Sequence, residues 1–172
     1  ASGLTRPEGI TADSGNVYWT ASDTVRNETV LMAVPKGNAV ATILASGPIA
    51  PGVIATDASN VYTCADGDIM QVPITGDVPT VLAAQGGCGP MAVDANSLYW
   101  AKDESVYDDV DNATFNQRAT IMRVSLAGGP ATVLASIDGW ISRIAVDGTS
   151  VYWLGRISGE SVVMRLTPKW PL

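Results

Sequence analysis

The chain contains no histidine. That removes Ser-His-Asp and Cys-His catalysis, histidine general bases and every zinc site built on imidazole. Carboxylates must therefore carry any acid–base or metal chemistry. Their densest run is Lys102-Asp103-Glu104-Ser105-Val106-Tyr107-Asp108-Asp109-Val110-Asp111-Asn112-Ala113-Thr114-Phe115-Asn116. Five carboxylates and two amides in fifteen residues are hard oxygen donors of the type that Ca²⁺ takes, and Asp103, Asp108, Asp109 and Asp111 are the candidate ligands. The Asp-x-Asp-x-Asp-Gly spacing with a distal Glu is absent, and acid-rich loops are usually just solvated.

Composition bounds the rest. With 10 basic and 17 acidic residues the net charge is −7, which argues against nucleic acid as the main partner. The apolar runs are only a few residues long, so no membrane insertion is expected. No Lys-rich, apolar leader stands at Ala1, and any targeting signal is expected to have been removed or never to have existed. One domain is the expectation for 172 residues, with roughly 70% of the unfolded surface buried.

The elements that must position these residues repeat along the chain. Gly9-Ile10-Thr11-Ala12-Asp13-Ser14-Gly15-Asn16-Val17-Tyr18-Trp19 aligns with Val53-Ile54-Ala55-Thr56-Asp57-Ala58-Ser59-Asn60-Val61-Tyr62-Thr63. Met91-Ala92-Val93-Asp94-Ala95-Asn96-Ser97-Leu98-Tyr99-Trp100 and Ile144-Ala145-Val146-Asp147-Gly148-Thr149-Ser150-Val151-Tyr152-Trp153 follow. The four aspartates lie 44, 37 and 53 residues apart, a period of about 45. After each segment comes a strand-like run with a methionine at 32, 70, 122 or 164. Three of the four continue into Ala41-Thr42-Ile43-Leu44-Ala45, Pro79-Thr80-Val81-Leu82-Ala83 and Ala131-Thr132-Val133-Leu134-Ala135. Four strands per repeat, a to d, with turns of Gly, Asn, Ser and Pro between them, predict an all-β chain of β-propeller type. Four blades are expected, approximately 7–50, 51–87, 88–139 and 140–172, in one domain spanning 1–172. The last lacks its outer strand, so the chain closes as a four-bladed ring, pairs with another copy, or belongs to a larger ring. The repeated aspartates read as turn-formers, and the Tyr, Trp and Met residues as packing between sheets.

Val17-Tyr18-Trp19-Thr20 and Ile144-Ala145-Val146-Asp147 with Val151-Tyr152-Trp153 resemble the YWTD-type propeller repeat. The chain is also similar to NHL-like and Vgb-like propellers of bacterial secreted proteins and lipoproteins. The resemblance covers Pro7 to about Leu166 and implies a fold; YWTD propellers usually have six blades. The motif's final Asp is replaced by Ala21, Ala65, Lys102 and Gly155, so its contacts do not carry over.

Propeller topology gathers the b–c loops and d–a connections on one face, which makes that face, carrying 102–119, the expected functional surface. Trp140, placed in a d–a connection beside Asp138 and Arg143, could stack a sugar or apolar ligand there, or plug the channel. Trp140, Arg143, Tyr107 and Arg118 are the candidate ligand-binding residues. Phe115 reads as a loop anchor and Trp170 as packing on the last blade. Cys64 ends a b strand and Cys88 begins an a strand of the next blade, so a disulfide is sensible. It would contribute roughly 3 kcal/mol across 24 residues and imply an oxidising compartment; two free thiols are the alternative. Asn27-Glu28-Thr29 and Asn112-Ala113-Thr114 are glycosylation sequons.

These features favour a non-catalytic binding module that is secreted, periplasmic or at the cell surface. Its partner would be a protein, glycan or small ligand. A Ca²⁺- or Mg²⁺-dependent carboxylate lyase or hydrolase is the alternative, although the resemblance to Vgb-type lyases implies a histidine that is missing here. A structural subunit completing a homo-oligomeric ring is the third.

Overall fold

A computed structural model describes residues 4–37, 40–104, 106–107 and 115–169, with 106, 107, 115 and 116 described by their backbone alone. Among these residues the structure is all β, with 16 strands in four antiparallel sheets plus one two-stranded ribbon. The chain divides into two compact units, 1–85 and 86–172, each holding two of the sheets.

In the first unit, β1 (Leu4–Thr5) and β2 (Ile10–Ala12) both pair with β3 (Asn16–Asp23), which continues through β4 (Glu28–Pro35) to β5 (Thr42–Gly47). The second sheet runs β6 (Ile49–Thr56), β7 (Asn60–Ala65), β8 (Asp68–Pro73), β9 (Thr80–Ala83). In the second unit, β10 (Met91–Val93), β11 (Ser97–Asp103), β14 (Ala119–Ser125) and β15 (Thr132–Ile137) form one sheet. The ribbon of β12 (Val106–Tyr107) and β13 (Phe115–Asn116) lies within its β11–β14 connection. The last sheet has three strands, β16 (Gly139–Val146), β17 (Val151–Ile157) and β18 (Glu160–Leu166).

Local chemistry explains the hairpins. Asp66-Gly67 and Ser158-Gly159 are two-residue turns with both residues at positive φ, the type I′ geometry whose twist matches that of paired strands. The β-branched and aromatic residues between turns suit a pleated, half-buried surface. In the first unit Tyr18, Leu31 and Ala33 pack with Ile49, Val61 and Val72 of the second sheet. In the second unit Tyr99, Ala101, Ala119 and Ile121 pack with Ile141, Val151 and Trp153. Tyr18, Leu31, Ile49 and Val61 of the first core correspond in the repeat to Tyr99, Ile121, Ile141 and Val151 of the second. As expected, the aromatic b strands are fillers between sheets.

The repeated aspartates have a shared structural task. One oxygen of Asp13 accepts the amides of Gly15 and Asn16 at 2.6 and 2.7 Å, and the other accepts the Tyr18 hydroxyl at 2.7 Å. Asp57 does the same with Ser59, Asn60 and Tyr62, and Asp94 with Asn96, Ser97 and Tyr99. Asp147 repeats it with Thr149, Ser150 and Tyr152. Each carboxylate thus fastens the a–b turn to the tyrosine five residues on.

Two details depart from the sequence reading. Trp140 lies in β16 and not in a connection, because the a strand starts at Gly139 and absorbs an irregularity between Ile141 and Arg143. Gly139 and Gly155 permit this: a Cβ on either would lie 1.9 or 2.5 Å from a carbonyl oxygen of the paired strand. Cys88 stands before β10 and not in it. Both cysteines are disulfide-bonded.

Candidate functional site

A concave site on the described surface belongs to the first unit, a cleft of about 640 Å³ at one end of the first sheet. Its wall is built by pairing. Leu4 sits opposite Asp23 and Thr5 opposite Ser22, which brings Arg6 beside the β3–β4 turn. Its polar groups come from Arg6 and Arg26, from the carboxylates of Asp23 and Glu28, and from Thr5, Ser22, Thr24, Asn27 and Thr29, and Gly47 and Pro48 complete it from the β5–β6 junction.

Asp23 holds the turn rigid. Its Oδ1 accepts the amides of Val25 and Arg26 at 2.9 and 3.1 Å, and its Oδ2 receives the Arg26 guanidinium at 2.6 Å. The arginine bonds, with the two amides, hold this buried carboxyl below the usual Asp range. Arg26 also lies 3.9 Å from Glu28. Arg6 has no hydrogen-bond or ion-pair partner among the described residues, and its side chain is exposed. Its φ is 50°, and Asn27 across the cleft has φ 54°. A left-handed backbone is tolerated at Asn but costs roughly 1 kcal/mol or more at Arg, and such strain concentrates at binding sites.

The residues singled out from sequence distribute differently. Trp140 is 42% exposed and flanks a smaller cleft of about 270 Å³ with Ser142, Leu154, Gly155 and residues 161–163. Arg143 is exposed, and its guanidinium donates to the Ser142 carbonyl at 2.7 Å. Arg118 is exposed; its carbonyl accepts the Glu104 amide and closes the base of the acidic insertion. Tyr107 is placed in β12, with its side chain outside the described residues. Of the four candidate metal ligands, Asp108, Asp109 and Asp111 lie outside the described residues, while Asp103 ends β11, exposed. Glu104 accepts the Thr120 hydroxyl at 2.6 Å and stands 3.7 Å from Lys102. Among the described residues no group of three or more acids or cysteines is placed to hold a metal.

The repeated carboxylates are committed to structure, and their electrostatics show it. At Asp147 the Thr149 amide, the Tyr152 hydroxyl and the Ser150 amide bring the pKa down to about 2. Burial tends to raise Asp13, but the Tyr18 hydroxyl and the amides of Asn16 and Gly15 outweigh it and lower the value. Conversely burial, then the neighbouring carboxylate, pushes Tyr18 and Tyr99 up to about 12 and Tyr62 higher still.

The Arg6 cleft was missed because its parts lie apart in sequence. The available signal was Asp23-Thr24-Val25-Arg26-Asn27, an Asp and Arg three apart inside a b–c loop on the face named for binding.

A chain of the crystal structure of the nidogen/laminin complex superposes with a TM-score of 0.70 at 15% identity, over 94% of this chain and 60% of that one. The fold is propeller-type. The tricorn protease matches at TM-score 0.62 and 14% identity over 87% of this chain and 15% of that chain. An oligogalacturonate lyase from Vibrio parahaemolyticus matches at 0.61 and 14%, over 91% and 50%. This chain thus spans 60% or less of each of these. Likeness at such identity shows fold alone. No protein-family model matches the chain, and no curated protein matches it in sequence.

Proposed function

We propose that this chain is a non-catalytic binding module of a secreted or surface protein, recognising a protein partner through the Arg6 cleft. The observation that carries the proposal is Arg6: an exposed guanidinium on a left-handed backbone, with no partner among the described residues, on the wall of a polar cleft. A guanidinium presents a planar fork of donors that fits a carboxylate in two-point fashion. Ser22, Thr24, Asn27 and Thr29 add hydroxyl and amide groups for a peptide backbone. The partner chemistry is therefore an acidic side chain on an extended segment. One chain of the nidogen/laminin complex shares this fold, and that structure is of proteins bound to one another, which supports a protein over other ligand classes. The disulfide suits an oxidising compartment, in keeping with a secreted or surface location.

The test is fluorescence anisotropy with labelled peptides that differ only in a central Glu or Gln. A charge-assisted bond is worth about 1.5–3 kcal/mol, so the Glu peptide is expected to bind at least tenfold more tightly. Arg6→Ala removes that preference, and Arg6→Lys restores only part of it. Equal binding of both peptides, or a preference that survives Arg6→Ala, overturns the proposal.

A further inference from the structure

The Arg6 cleft holds a second uncommitted charge, and its sign is opposite. Two carboxylates line the cleft, those of Asp23 and Glu28. Asp23 is fully engaged: its oxygens take the amides of Val25 and Arg26 and the Arg26 guanidinium, and its side chain is 5% exposed. Glu28 is different. Its side chain is 25% exposed, and the cation beside it, Arg26, stands off at 3.9 Å. Among the described residues its carboxylate accepts no hydrogen bond. Arg26 is already bonded to Asp23 at 2.6 Å, so two carboxylates share one guanidinium and this wall is negative. Arg6, on the other wall, is positive and has no partner among the described residues. The cleft is a dipole.

Strand pairing sets the distance between its poles. Leu4 faces Asp23 and Asp23 faces Glu28, so β1 and β4 lie on either side of β3. Two interstrand spacings amount to roughly 10 Å. An extended segment advances about 3.3 Å per residue and returns a side chain to the same side at every second residue. Four residues on, at about 13 Å, is the first same-side position that clears the gap. The chain as a whole carries a net charge of −7, which adds to the repulsion that a uniformly acidic segment meets at the Glu28 pole.

We propose that the cleft selects a segment of a partner protein that carries both charges, an acidic side chain for Arg6 and, four residues away, a Lys or Arg for Glu28. This inference rests on the reading of the cleft as a site for an acidic peptide and narrows the partner further. Glu28 is the specificity-determining residue: it attracts the base and repels a second acid, so runs of acids are rejected.

The experiment titrates the full 172-residue chain, at low ionic strength, with the labelled peptide Ser-Glu-Ala-Thr-Ala-Lys-Ser. The reversed order, Ser-Lys-Ala-Thr-Ala-Glu-Ser, is titrated beside it, and the tighter of the two is the reference. Replacing its Lys by Gln should weaken binding about threefold or more, and replacing it by Glu about tenfold or more. Glu28→Gln should make the Lys and Gln peptides bind alike, while the preference for Glu over Gln at the acidic position, set at Arg6, persists. Glu28→Lys should reverse the order, so that the two-acid peptide binds best. Circular dichroism of both variants should match the parent, because the Asp23 bonds that hold the turn remain. Absence of binding, or of the acid preference, sinks both readings. If the acid preference holds but Lys, Gln and Glu peptides bind alike, or if the Lys preference survives Glu28→Gln, this inference alone is overturned and the acid-binding reading stands.

Discussion

Lys169→Met tests how the second unit is held together. The Lys169 amide donates to Thr149, the same bond that Lys36, Ile74 and Leu126 make to Gly15, Ser59 and Asn96 in the other repeats. Lys36 Nζ likewise bonds the carbonyl of its own repeat's aspartate, Asp13, but the Lys169 side chain reaches a second sheet as well. It is 2% exposed, and Nζ bonds the Asp94 carboxylate of the preceding sheet at 2.5 Å and the Asp147 carbonyl of its own. It also stands 5.6 Å above the centre of the Tyr99 ring. Removing one partner of a buried pair costs about 3–5 kcal/mol when the other is stranded. Here Asp94 keeps the amides of Asn96 and Ser97 and the Tyr99 hydroxyl, so the loss should be nearer one charge-assisted bond, about 2–3 kcal/mol. Asp94→Asn should cost at least as much, since it leaves an ammonium buried. The double variant should show about 2 kcal/mol of coupling. Burial tends to raise the Asp94 pKa, but Lys169 foremost and the amides next bring it below its ordinary value. A depressed carboxyl stabilises the fold above its unfolded pKa and loses that contribution as pH falls through the folded one. Lys169→Met removes the main lowering influence, so the stability gap between parent and variant should narrow as pH falls and the Asp94 contribution of the parent is lost. Urea titration followed by tryptophan fluorescence, at pH 7 and down the acid limb, measures all three quantities. A loss below about 0.5 kcal/mol, absent coupling or a gap that does not narrow with acid would refute the assignment of Lys169 as a clasp.

Other expectations follow from the same geometry. Spectrophotometric titration should leave Tyr18, Tyr62 and Tyr99 un-ionised well past pH 10. Their pKa values are raised, so the stability they confer is complete below about 10 and lost as pH climbs through the folded values. Trp100→Phe should cost about 1 kcal/mol more than Trp153→Phe in denaturant titration. The Trp100 indole donates to the Gly86 carbonyl at 2.6 Å, whereas the buried Trp153 indole has no partner among the described residues. Gly139→Ala should lower stability by about 2 kcal/mol or more, since its Cβ meets the Arg156 carbonyl at 1.9 Å and backbone cannot give way. Gly148→Ala, with nothing within 4 Å, should stay within about 0.5 kcal/mol of the parent.

Much of this arrangement was legible in the residues. The repeat located each sheet, and the absence of a fourth Thr-x-Leu-Ala run foretold the three-stranded last sheet. The repeated Asp was readable as a turn-former, and its second bond to Tyr five residues later follows from the same spacing. The starts of β6 and β16 were not legible, because Pro51-Gly52 and Asp138-Gly139 look like loop while bulged pairing carries the strand through them. Arg6 was invisible for another reason. Its role depends on Leu4 and Thr5 pairing some eighteen residues away, and on a backbone conformation that nothing in its side chain announces.

The Asp–Tyr fastening of each a–b turn bears on how the chain reaches its fold. Every bond in it joins residues no more than five apart, so it can close without waiting for any distant strand. Contacts this local form on the microsecond scale of hairpins, whereas pairing of whole sheets is slower. The chain therefore carries four independent nucleation points, one per repeat, and no repeat must borrow its first turn from a neighbour. A segment with its own nucleus can be duplicated and still fold. That gives a physical route by which four copies, about 45 residues apart, could arise by tandem duplication and diverge while keeping Asp, Tyr and Met.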